Sequence, residues 1–137
     1  MSESDGRGVL DTSVVIALTD LQDPGLLPPL PLLTTVTLAE LSVGPLVADS
    51  DAIRSERQGN LQLAEGNFES LPFDVPAARA FGQVSTCLRR AGRKAHARTY
   101  DALIAAIAIA NGLPLYTCNP GDFEGIDGLE VVAVPQP

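Results

Sequence analysis

An α/β fold, with a mostly parallel central sheet and helices on both faces, is what this sequence predicts, on three observations. Short apolar runs alternate with stretches of helical periodicity, the order that crossover helices between parallel strands require. The stretch from Tyr100 to Ala110 is apolar on every face yet only about ten apolar residues long, well short of the roughly 20 that span a bilayer, so it reads as a core helix. The chain's 137 residues suit one domain, which at this length buries roughly two-thirds of its unfolded surface without a staple. The expected organisation is a flexible N-terminal segment over 1–7, one folded unit over 8–134 and a tail over 135–137.

Gly8-Val9-Leu10-Asp11 is an apolar run ending on an acid and followed by Thr12-Ser13 and Val14 to Leu18, which reads as strand, cap, helix. Asp23-Pro24-Gly25 breaks the chain. The proline-rich stretch Leu26 to Leu33 cannot be a helix interior, so it is a loop entering a second strand, Leu32 to Val36. Thr37 to Leu41 opens a helix ending near Gly44-Pro45, and Val47 to Gly66 is more polar, an exposed helix or helix pair. Leu71-Pro72-Phe73 is a short strand. From Pro76, a favoured first helical residue, Ala77, Ala80, Phe81, Val84, Cys87 and Leu88 recur on one helix face, and the helix runs to Gly92. The core helix follows, with Thr99 as a plausible N-cap and Asn111-Gly112 as its stop. Leu113 to Thr117 is a strand, Asn119 to Asp122 a turn, and Leu129 to Val134 the last strand.

The N-terminus is polar and carries no apolar run of the kind found in a secretory signal, which leads to the expectation of a cytoplasmic protein without membrane association. Cys87 and Cys118 have neither zinc nor redox spacing and are expected to be reduced thiols in or near the core. A net charge of −8 argues against nucleic acid at first sight. Its distribution qualifies this, because five of the nine basic residues (Arg89, Arg90, Arg93, Lys94, Arg98) fall within ten positions just before the core helix. Such a cluster is either a local phosphate-binding patch or a solvated helix end complementing the dipole.

Four acids stand out, and each has a local alternative. Asp11 can cap the helix after it. Glu40 lies three residues after Thr37, the capping-box spacing. Asp101 sits in the first turn of the core helix, where negative charge is favoured, at the rim of a core where a carboxylate must find a cation, a donor or water. Asp122 lies in a turn rich in Asn, Pro and Gly, where aspartate is common for backbone reasons. Together they carry more, because strand C-termini and helix N-termini meet at the ligand crevice of a parallel sheet. Three carboxylates within about 5 Å repel by roughly 3 kcal/mol per pair at an effective dielectric near 20. Such a cluster calls for protons or a cation, and hard oxygen donors select Mg²⁺ or Mn²⁺.

In Val9-Leu10-Asp11-Thr12-Ser13, Thr37-Leu38-Ala39-Glu40-Leu41, Asp101-Ala102-Leu103-Ile104-Ala105-Ala106 and Thr117-Cys118-Asn119-Pro120-Gly121-Asp122-Phe123-Glu124-Gly125-Ile126, the chain resembles the PIN-domain ribonucleases, specifically the toxins of VapBC-type toxin–antitoxin pairs. The ordered set of four motifs carries the resemblance, from about Gly8 to Val134. It implies a single PIN-like domain acting as a Mg²⁺-dependent endoribonuclease, with Mn²⁺ able to substitute, usually a homodimer, neutralised by a cognate antitoxin that wraps it near the active site. Asp11, Glu40 and Asp101 match the family's three core acids. At the fourth position many members have aspartate two residues after the motif threonine, where this chain has Asn119 and then Asp122. Thr12, Ser13 and Thr117 match hydroxyl positions that could orient ligands or phosphate. On this reading Asp11 and Asp101 bind metal, Glu40 orients or deprotonates water, Asp122 completes the site, and Arg89, Arg90, Arg93 and Lys94 guide the RNA backbone. Leu26 to Leu33 is either an antitoxin contact or a loop packed under the sheet.

Two rivals belong to other classes. A phospho-acceptor signalling domain is also α/β with acids around Mg²⁺, but it needs a lysine late in the chain, and the sole lysine, Lys94, precedes the core helix. A catalytically weak PIN-fold module binding RNA or protein has Asn119 as its support. His96, the only histidine, has no second partner for histidine-pair cleavage through the ribose 2′-OH and reads as a surface residue.

Overall fold

The computed structural model describes residues 5–21, 23–93 and 99–137. Within them β1 (Arg7–Leu10), β2 (Leu30–Thr34), β3 (Ser70–Leu71), β4 (Leu115–Thr117) and β5 (Val131–Ala133) form one sheet in the order β3-β2-β1-β4-β5. Every neighbouring pair is parallel. The five α-helices described are α1 (Thr12–Ala17), α2 (Thr35–Leu46), α3 (Asp51–Asn67), α4 (Val75–Arg90) and α5 (Thr99–Ala110). None of them is long and apolar enough to cross a membrane.

Strand alternation splits the core into two layers. Val9, Leu32 and Leu115 pack with Val84, Leu88, Ile104 and Ile107 of α4 and α5, while Leu10 and Leu33 pack with Val14, Val15, Leu41 and Ala64 of α1, α2 and α3. Helices therefore cover both faces. In α5, Ala102 and every residue from Ile104 to Ala108 are buried, as an all-round apolar helix requires, and full burial of Ile104 and Ile107 contributes roughly 1.5–3 kcal/mol each. Helix α3 buries only Ala64 completely, in keeping with its polar sequence.

Several boundaries differ from expectation, each for a physical reason. Strand β1 begins at Arg7, which pairs with Leu30, so the sheet reaches into the segment expected to be flexible; residues 1–4 lie outside the described residues. Strand β2 begins at Leu30 rather than Leu32, with Pro31 inside it. The Leu30 N–H donates to Gly6 on the β1 side and the Leu33 N–H to Glu69 on the β3 side. Pro31, facing the β3 side like Leu33, sits below the end of that two-residue strand, where no ladder bond is lost. Most of Leu26 to Leu33 is thus strand or packing: Pro28 is buried against Gly8, where an added Cβ would meet Pro28 at 2.9 Å and the Tyr116 ring at 2.6 Å. Leu26 and Leu30 remain exposed.

Helix α2 starts at Thr35, two residues earlier than expected, because the Thr34 hydroxyl accepts the Thr37 N–H at 3.2 Å and caps it. It also runs past Gly44-Pro45 to Leu46. The carbonyls of its last turn are taken by α3: Arg57 Nη1 donates to the Gly44 carbonyl at 2.9 Å and Arg54 Nε to the Pro45 carbonyl at 3.3 Å. Thr99, expected as a cap, is already helical in α5. Strands β3, β4 and β5 are shorter than their apolar runs.

Candidate active site

Progressing from β1 the chain adds β2 and β3 on one side, then returns to add β4 and β5 on the other. The order reverses between β1 and β4, and the crevice beyond the strand C-termini at such a point is the default ligand position of a parallel sheet. Asp11 follows β1 and Thr117 ends β4, so both stand at this point.

The Asp11 N–H continues the ladder by donating to the Tyr116 carbonyl at 3.0 Å, and its carboxylate Oδ1 caps α1 by accepting the Val14 N–H at 3.2 Å. The local reading, a cap, is therefore correct and incomplete. Ser13 Oγ donates to Oδ1 at 2.5 Å and Thr117 Oγ1 to Oδ2 at 2.6 Å. The direction of these bonds is fixed because an ionised carboxylate can only accept, and each hydroxyl also accepts a backbone amide, Ser13 Oγ from the Cys118 N–H at 3.0 Å and Thr117 Oγ1 from the Asn119 N–H at 3.0 Å. Each hydroxyl proton is thereby committed to Asp11. Asp11 is 4% exposed, and its pKa is raised: burial favours the neutral acid more strongly than the bonds from Ser13, Thr117 and Val14 favour the anion.

Glu40 does not form the expected capping box. With Thr34 as cap it lies in the second turn of α2, and its Oε1 accepts the Thr12 hydroxyl at 2.7 Å. Thr12 Oγ1 also lies 3.1 Å from Thr37 Oγ1, and because its single proton goes to Glu40, Thr37 is the donor there. Thr37 is a member of this network that sequence reasoning read only as a helix opener; the available signal was its i, i+3 relation to Glu40. The pKa of Glu40 is raised chiefly by burial, opposed by the Thr12 bond and reinforced by the charge of Asp11. The two acids thus sense each other, with adjacent hydroxyls on α1 serving one each.

Asp101 sits half-buried in the first turn of α5, as expected. Asp122 is half-buried in a short 3-10 turn, Pro120–Phe123, whose main chain is closed by the Asp122 N–H to the Asn119 carbonyl at 3.0 Å. Asn119 is exposed, and its side-chain oxygen meets only a long contact from Gln136 at 3.5 Å among the bonds described. The expectation that all four acids gather tightly needs correction: among the described residues, no three acidic, cysteine or histidine side chains form a group that could hold a metal ion. Both oxygens of Asp11 and one of Glu40 accept instead from the hydroxyl layer. The donor set still fits a hydrated divalent cation in chemistry. Every candidate ligand is a hard oxygen, such an ion takes only one or two carboxylates directly, and a neighbouring positive charge would favour the anions that burial disfavours.

Arg89 and Arg90 are exposed in the last turn of α4. Arg93 has a different position: its Nη2 donates to the Gly121 carbonyl at 2.6 Å and lies 3.6 Å from Glu124 Oε2, which ties the end of α4 to the turn that carries Asp122. One nitrogen of its guanidinium is thus engaged within the chain. Lys94, His96 and Arg98 lie outside the described residues. Cys87 is buried and Cys118 half-buried, both free thiols as expected, and burial raises the pKa of Cys118, with the Asp11 charge adding to it.

The family model of the PIN domain matches residues 8–129. Ribonuclease VapC5 of Mycobacterium tuberculosis is 39% identical over 136 residues, covering 98% of this chain and 98% of that protein. The plasmid stability protein StbB of Pseudomonas syringae pv. tomato is 36% identical over 104 residues, 73% of this chain and 72% of that one. Among solved structures, the crystal structure of VapBC-5, a member of the VapBC family of toxin–antitoxin systems from Mycobacterium tuberculosis, superposes with a TM-score of 0.80 at 39% identity, covering 94% of this chain and 99% of that chain.

Proposed function

We propose, from the premise that this chain belongs to the PIN-domain family, that it is a Mg²⁺- or Mn²⁺-dependent endoribonuclease and the toxin of a toxin–antitoxin pair. The observation that carries the reading is the Asp11–Glu40 pair, one buried and one half-buried carboxylate, each set by a hydroxyl of α1 at the switch point of a parallel sheet. The unit that carries the activity spans 8–134, acts as a homodimer in the cytoplasm, and is held inactive by a cognate antitoxin.

Asp11 and Asp101 would hold the cation, with Glu40 and Asp122 completing its surroundings. A bound divalent ion supplies charge that offsets the phosphate and lowers the pKa of water. The chain's own residues do the rest. Ser13 and Thr117 fix Asp11 in one orientation. Thr37 orders Thr12, and Thr12 aims Glu40, which accepts a proton from the water that attacks phosphorus in line. Arg89 and Arg90 take flanking phosphates, where point charges position RNA without reading sequence.

The deciding assay incubates the purified chain with total RNA in Mg²⁺ or Mn²⁺, with and without chelator. Cleavage is expected to stop with chelator and with Asp101→Asn, and to survive a 2′-deoxy substitution at the cut site because the nucleophile is water. An Asp101→Asn protein that cuts as well as the parent overturns the assignment. Co-purification with a small protein encoded beside it tests the antitoxin part separately.

A further inference from the structure

A cavity of about 570 Å³ opens between α1, α2 and α3 beside the acid pair, within the roughly 300–1,000 Å³ of small-ligand sites. Thr12 and Glu40 belong both to its lining and to the hydroxyl–carboxylate network, so whatever occupies it lies against the candidate reacting centre. Ile16 and Ile53 also line it, and both are more than one-third exposed, at 53% and 38%, which leaves apolar surface for a flat ring to cover. Ile53, Glu56, Arg57 and Asn60 follow one another at i, i+3, i+4 and i+7, a single stripe along α3 turned toward the cavity. Arg57 is held in place, with Nη1 on the Gly44 carbonyl and its stem lying where a Gly44 Cβ would meet it at 3.2 Å.

The charge of this lining selects its occupant. Two carboxylates and one guanidinium, already bonded to a carbonyl, repel a phosphate and favour a neutral group rich in N–H donors. Among unpaired nucleobases, guanine presents two parallel N–H donors, N1–H and the 2-amino group, which match one carboxylate, beside an O6 acceptor that matches an amide or guanidinium donor. Adenine and cytosine offer one amino group each and no such pair. We propose that the cavity is the subsite for an unpaired guanine next to the scissile phosphate, with Glu56 accepting from its Watson–Crick edge and Asn60 or Arg57 donating to O6. This deepens the ribonuclease reading and rests on it.

The test cleaves an RNA library of randomised sequence with the full chain and with Glu56→Gln and Asn60→Ala, in Mg²⁺ or Mn²⁺, and sequences the ends. Kinetics then follow on matched oligoribonucleotides carrying guanine or inosine, which lacks the 2-amino group, at the selected position. The parent is expected to enrich guanine at one position beside the cut and to lose about tenfold in kcat/KM on inosine. Glu56→Gln loses a similar factor on guanine and nothing further on inosine, with an unchanged melting temperature; Asn60→Ala loses less. A parent that cuts without guanine enrichment, or a Glu56→Gln protein with the parent's profile, overturns the subsite and leaves the nuclease standing. Variants that keep the parent's profile but escape inhibition by the co-purified partner protein would also overturn it, assigning the cavity to a protein ligand. A parent that cuts no RNA under any metal condition overturns both readings.

Discussion

The two acid-bearing ends of this site are built in opposite ways. Asp11 is held side chain to side chain, by hydroxyls from two elements that are 106 residues apart at the farthest bond, and is almost wholly buried. Asp122 rides on a turn held mainly through its main chain, by the Asn119 carbonyl from within and by Arg93 on the Gly121 carbonyl from outside. In the first region the identity of each side chain sets both structure and charge. In the second, bonds to main-chain carbonyls set the shape of the turn. Substitutions should therefore separate the two: at the Asp11 end activity and stability change together, while at the Asp122 end the main-chain bonds of the turn survive the substitution and stability changes less.

The largest effect is expected from Asp11→Asn. The amide brings an N–H where one hydroxyl now donates, so Ser13 or Thr117 loses the acceptor for its proton, and the negative charge goes. RNA cleavage should fall at least a thousandfold, about 4 kcal/mol of transition-state stabilisation, in a steady-state assay. An activity within tenfold of the parent would place the reacting centre elsewhere.

Next comes metal binding. Saturating Mn²⁺, at about 100 times its Kd, should stabilise the fold by roughly 2.7 kcal/mol and raise the melting temperature. In chelator, the raised pKa values of Asp11 and Glu40 carry a definite sign. The folded state binds their protons more tightly than the unfolded chain, so this contribution is full below the ordinary carboxylate values of 3.8 and 4.5 and is lost as pH rises through the raised folded values. Calorimetry from pH 4 to 7 should show this part of the stability declining in chelator and recovering in Mn²⁺. A melting temperature indifferent to Mn²⁺ would leave the acid pair without its cation.

Thr117→Val removes the donor to Asp11 and leaves the Asn119 N–H without its acceptor, a loss of about 1–3 kcal/mol readable by denaturant melts. The smallest changes are expected in the turn. Asp122→Asn should lower activity about tenfold, roughly 1.4 kcal/mol, with little change in melting temperature, while Asn119→Ala costs less and Asn119→Asp tightens Mn²⁺ binding. If Asn119→Ala is the more damaging change, the amide is the functional group and Asp122 only shapes the turn.

Much of this was legible along the chain, because periodicity and caps act over a few residues. The alternation of strand and helix, the buried α5, the polar α3 and the cap at Asp11 all follow from neighbours within one or two turns. So do the positions of Asp11 after a strand and Asp101 in a first helical turn. What the sequence could not decide is which partner wins where several compete. Thr34 and Thr37 are both competent caps, and only the path of β2 into α2 chose the first, freeing Thr37 to orient Thr12 and leaving Glu40 to a hydroxyl on another helix. Arg93 sits in a run of cations that reads as a single patch, yet its guanidinium reaches 28 residues along to the turn after β4. The tertiary structure alone assigned these bonds, since a hydroxyl has one proton to give and a guanidinium takes the carbonyl the fold brings within reach, and neither choice is encoded by the residues beside them.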